Sequence, residues 1–110
     1  SPIVDPQKTV ALFSDLLSHS KDIKLVSIKN IVPIQDLQAS NQAGVELYRH
    51  QIVLEVHATY EQLTDFLKNI EQLDFALSFD DLTLESISYP KVHSVLTIHF
   101  LCQRKEIIHA

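Results

Sequence analysis

Apolar residues recur along this chain at two spacings, and the switches between them mark the elements. Val10, Phe13, Leu16 and Leu17 lie three or four apart, which predicts an amphipathic helix. Asp5 can cap its first free N–H groups, Pro6 suits its first position, and Ser18 to Ser20 end it. Leu25, Val26, Ile28 and Ile31 predict a first strand over 24–31, closed before Pro33. Residues 35–44 are polar and end at Gly44, the only glycine, which reads as an exposed loop. Ile52, Leu54, Val56 and Ala58 alternate with Val53, Glu55 and His57, the pattern of a half-buried second strand that reaches back through Leu47 to His50. Thr59 and Gln62 have capping-box spacing. Leu63, Phe66, Leu67, Ile70 and Leu73 follow at helical steps and give the strongest helix signal. A third strand spans 75–87; its apolar residues switch from odd (Leu77, Phe79) to even (Leu82, Leu84), which predicts a bulge at Asp80-Asp81. After a turn at 88–90, Val92, Leu96, Ile98, Phe100 and Cys102 share one face of a fourth strand, and His93, Val95, Thr97, His99 and Leu101 the other.

The order αββαββ calls for one buried layer between helices and sheet. The expected fold is α+β: a permuted ferredoxin-like arrangement, with a four-stranded antiparallel sheet and two helices on one face. Right-handed crossovers put strands 2 and 4 in the centre and 1 and 3 at the edges. The length suits one domain over 1–110, with 1–20 as the first helix.

Charge narrows the partners. The net charge is −5 and the nine Lys and Arg residues form no cluster, so the basic footprint of a nucleic-acid or anionic-membrane surface is absent. Cys102, the single cysteine, reads as a buried thiol. No apolar run is long enough to span a bilayer. The chain begins Ser-Pro-Ile-Val without Met, so it reads as a segment of a longer protein, with a membrane anchor or signal expected upstream.

Little in the sequence points to chemistry. One glycine cannot build a phosphate loop, and no HExxH or GxSxG is present. His57, His93 and His99 point away from the helices, with Glu55 as the one obvious extra metal ligand; three or four converging ligands would be needed. Asp80 and Asp81 are neighbours on a strand and face opposite sides unless a bulge redirects them. The outer sheet positions lack the aromatics and cations of an RNA-binding sheet. What remains is a mixed face: Val53, Glu55, His57, His93, Val95, Thr97 and His99 form the candidate partner interface, since an uncovered sheet with apolar members is a natural docking surface. The edge strands offer a second route, strand addition. No metal, cofactor or small-molecule substrate is expected.

The run Leu47-Tyr48-Arg49-His50, the alternating strand to Thr59-Tyr60, and then Leu63, Phe66-Leu67, Ile70-Glu71 and Leu73 resemble the MshJ family of MSHA pilus biogenesis proteins. The resemblance continues through Phe75, Phe79-Asp80, Leu82 and Tyr89-Pro90 to Val95–Ile98. That family is itself similar to the PilO and GspM proteins of type IV pilus and type II secretion machines. The resemblance implies one membrane helix, a periplasmic coiled coil and a ferredoxin-like domain in the full-length protein. It also implies pairing with itself and with a PilN-like inner-membrane partner, and no catalytic residue. The expectation is therefore a periplasmic scaffold domain at the bacterial inner membrane. The alternative is a small enzyme of the dimeric α+β-barrel type, with His50 or His99 as base in an apolar pocket between helices and sheet. A weaker third reading, a small-molecule sensor, would use the loop before Gly44.

Overall fold

A computed structural model of the chain describes residues 11, 13–15, 23–72 and 77–103. Ala11 and Phe13 to Asp15 are helical; the rest of the predicted first helix lies outside the described residues. The elements then run β1 (Lys24–Asn30), β2 (Ile34–Gln35), α1 (Leu37–Ala43), β3 (Tyr48–Thr59), α2 (Tyr60–Glu71), β4 (Leu77–Ser88) and β5 (Lys91–Cys102).

The sheet order is β1-β3-β5-β4, and every pairing is antiparallel. The two long central strands, β3 and β5, are the second and fourth predicted ones, as expected. The strand count corrects the expectation: the described residues form five, because β2 also pairs with β3, at Arg49 and Tyr48. Since β5 occupies the other side of β3 along its whole length, β2 extends the edge that β1 begins.

The expected loop over 35–44 is a second correction. It holds the end of β2 and the short helix α1. Asp36 caps α1 by accepting from the Ala39 N–H at 3.0 Å, and Gly44 closes it at φ 74°, a left-handed conformation that glycine adopts without a Cβ clash. Inside the turn, the buried Ser40 hydroxyl donates to the Asp36 carbonyl at 2.6 Å and accepts from the Leu47 N–H at 2.8 Å, tying α1 to the entrance of β3.

At the start of α2 the capping box forms as its spacing predicts. The Thr59 hydroxyl accepts from the Gln62 N–H at 3.1 Å, and the Gln62 side chain accepts from the Thr59 N–H at 2.9 Å. Helical periodicity then turns Leu63, Phe66 and Ile70 onto the sheet, where they join Ile52, Leu54 and Val56 of β3, Leu96, Ile98, Phe100 and Cys102 of β5, and Phe13. Each such side chain contributes about 1.5–3 kcal/mol on burial. Phe13 and α2 thus share one core on one side of the sheet.

The predicted bulge is present: the register shifts between Phe79 and Asp81, leaving Asp80 as the extra residue. A second shift, between Ser86 and Ser88, leaves Ile87 unpaired. β4 stays exposed from Ser78 to Ser88, with Phe79, Leu82, Leu84 and Ile87 each 41–50% accessible.

Candidate functional site

The seven predicted interface residues come together. Antiparallel register sets Val53 opposite Thr97, Glu55 opposite Val95 and His57 opposite His93, with His99 one row further on, opposite Gln51. Alternation turns all of them away from the core, and each stays partly exposed. Apolar Val53 and Val95 are diagonal neighbours across β3 and β5, within a polar surround.

Two polar networks cross this face. The Ser27 hydroxyl on β1 donates to Glu55 Oε1 at 2.9 Å; Glu55 Oε2 lies 2.6 Å from His93 Nε2; and His93 Nδ1 lies 3.6 Å from Glu85 of β4. The four side chains come from four strands, so the chain of contacts laces the sheet crosswise. His57 meets the His93 ring edge-on, with centroids 5.1 Å apart. In the second network the bulge swings Asp80 onto the outer face, where it lies 2.6 Å from His99 Nδ1 and accepts from the Gln51 amide at 3.1 Å. Asp81, in register with Thr97, shares that face. The expected divergence of the two aspartates is therefore removed by the bulge.

Electrostatics follow from these contacts. The hydrogen bond to Glu55 holds His93 above its ordinary pKa, and the bond to His93, then that from Ser27, holds Glu55 below its own. A raised histidine adds stability that is complete below its unfolded value near 6.5 and is lost as pH rises through the higher folded value. A lowered carboxylate adds stability that is complete above 4.5 and is lost as pH falls through the lower folded value. Both contributions are in place between these limits. We expect Glu55→Gln to reduce the fall in melting temperature on the alkaline side of pH 6.5, Glu85 alone then raising His93; an unchanged pH profile in that variant would contradict the pairing.

Sequence reasoning missed Ser27, Gln51, Asp80 and Glu85 as members of this face. The parity switch at Asp80 was the available signal for one of them; the rest depend on cross-strand register. Among the described residues no three His, Cys, Asp or Glu side chains are gathered to hold a metal ion. A shallow recess of about 90 Å³ lies between α2 and the β4–β5 pair, lined by Leu67, Glu71, Phe79, Leu82 and Leu96. Neither histidine of the enzyme reading lines it. His50 is sealed in the core against Phe100, and His99 is on the opposite face with Asp80. No helix among the described residues is long and apolar enough to cross a membrane.

No family model matches this chain, and no curated protein matches it.

Proposed function

We propose that this chain is the ferredoxin-like periplasmic interaction domain of an inner-membrane platform protein. It serves MSHA-type pilus biogenesis or type II secretion, binds a second copy and a PilN-like partner, and carries out no catalysis. The central placement of β3 and β5, with the core on the α2 side, is what a ferredoxin-like sheet requires. The observation that carries the reading is the unburied sheet surface: an outer face with Val53 and Val95 at its middle, flanked by an edge strand exposed over eleven consecutive residues, Ser78 to Ser88. A membrane anchor upstream confines copies and partners to one plane, so weak contacts suffice there.

Sedimentation equilibrium at high micromolar concentration tests this. A reversible dimer, or a stable complex with a co-expressed PilN-like periplasmic domain, is the expected result. A strict monomer that also ignores the PilN-like domain overturns the reading.

A further inference from the structure

We propose that the two edges of the sheet bind each other between copies: β1 of one chain adds antiparallel to β4 of the next, head to tail. This rests on the protein-binding reading above and specifies its surface.

Among the described residues β1 pairs only with β3, and β4 only with β5, so each keeps an open row of backbone N–H and C=O groups. Through three antiparallel pairings, β1 and β4 run in opposite directions. A copy laid beside the first in the same orientation therefore continues the antiparallel ladder.

The registers decide what meets what. Traced across the sheet, Lys24 shares a row with His57, His93 and Glu85, and Lys29 shares one with Val53, Thr97 and Asp81. Between them run the rows that end in Leu25 and Leu84, in Ser27 and Thr83, and in Ile28 and Leu82. When the next copy docks with its rows aligned, its Lys24 meets Glu85, its Leu25 meets Leu84, its Ser27 meets Thr83, its Ile28 meets Leu82 and its Lys29 meets Asp81. Cations meet carboxylates on the outer face, and apolar side chains meet on the core side. Cross-strand pairs of both kinds are stabilising. The bulged residues Val26 and Asp80 fall in different places and leave this match intact.

Other pairings fail. A slip of one residue sets core-side positions against outer ones. A slip of two takes both lysines off their carboxylates. Two-fold pairing of β4 with itself opposes Asp80, Asp81 and Glu85 to the same acids, and β4 contains no cation; β1 with itself opposes Lys24 and Lys29, and β1 contains no acid. Lysine on an edge strand commonly guards against pairing; here each guard is matched by an acid on the other edge. Among the described residues neither Lys29 nor Asp81 makes an ion pair. The contact is heterologous, and the strand twist winds successive copies about an axis.

The test uses Lys29→Glu and Asp81→Lys, both at exposed positions, with thermal melts to verify folding. Each variant alone should weaken self-association at least about tenfold, and an equimolar mixture should restore it, because an unaltered β1 edge then meets an unaltered β4 edge. Independently, Ser27→Cys mixed with Thr83→Cys should give a disulfide-linked dimer that neither variant forms alone. Self-association indifferent to Lys29→Glu, or tighter binding of the Asp81→Lys chain to wild type through β4 alone, overturns the head-to-tail contact while leaving the protein-binding reading standing. A monomer that gives no cross-link yet binds the PilN-like domain does the same. A chain that shows none of these interactions overturns both.

Discussion

Phe66→Ala is expected to lower the stability of the fold by about 3–5 kcal/mol, the largest effect of any single change considered. The side chain is 2% exposed, at the centre of the α2 stripe, and it joins the core cluster shared by β3 and β5. Truncating it removes the apolar transfer free energy and leaves a cavity that the central strands cannot close without breaking their ladder. Whole domains are stable by only about 5–15 kcal/mol, so the variant should sit near its unfolding midpoint at physiological temperature. A urea titration reads this as a large drop in midpoint at unchanged slope. Lys68→Ala, on the exposed side of the same helix, should leave the midpoint nearly where it was. Equal effects from the two substitutions would mean that α2 faces the sheet differently.

His50→Leu is expected to have the opposite sign. The ring is fully buried, 5.0 Å from Phe100 between centroids and tilted by 43°, and neither ring nitrogen has a hydrogen-bond partner among the described residues. Leaving a buried polar group unsatisfied costs about 1–3 kcal/mol, so an apolar side chain of similar size should recover part of that at neutral pH. Desolvation also pushes the His50 pKa down. A depressed histidine is neutral in the fold at no proton-linked penalty above the unfolded value near 6.5. As pH falls from 6.5 toward the lower folded value, the unfolded chain takes up a proton that the folded chain resists, and stability is lost. The leucine variant should therefore melt higher than wild type, with the gap widening as pH is lowered from 7 to 5. A lower melting temperature across that range would mean that the imidazole has a partner that stabilises it.

His50 also illustrates what the sequence made legible. It lies an even number of residues from Ile52, Leu54 and Val56, so strand parity alone puts it inside, whereas His99, the other base of the enzyme reading, falls on the outer face of β5. The faces of β3 and β5, the capping box at Thr59 and the bulge at Asp80 were legible because each is a local pattern: alternation, a fixed spacing, a change of parity. α1 was hidden because its residues, Leu-Gln-Ala-Ser-Asn-Gln-Ala, form no apolar stripe, and its one buried side chain is a serine. Its signal lay in its ends, where Asp36 and Gly44 stand as cap and stop around a short run of helix-compatible residues. β2 is two residues long and carries no period.

The candidate face divides in the same way. Its β3 and β5 members were legible from alternation, because the two strands are long and regular. Ser27, Gln51, Asp80 and Glu85 entered through polar contacts that depend on which residue stands opposite which, and only Asp80 carried a signal within its own strand. The matching of Lys24 and Lys29 with Glu85 and Asp81 is a property of three registers together. It becomes visible only once the ladder is traced from one edge to the other.

The most direct measurement of the claim that the sheet surface is the working part is an amide NMR dilution series on the wild-type chain, repeated with the PilN-like domain added. Shifts confined to β1, β4 and the outer positions of β3 and β5 are the predicted result, with the core-facing amides of α2 unmoved. Spectra that change neither with concentration nor with the added domain would contradict it, as would changes centred on the recess between α2 and β4 when small metabolites are added.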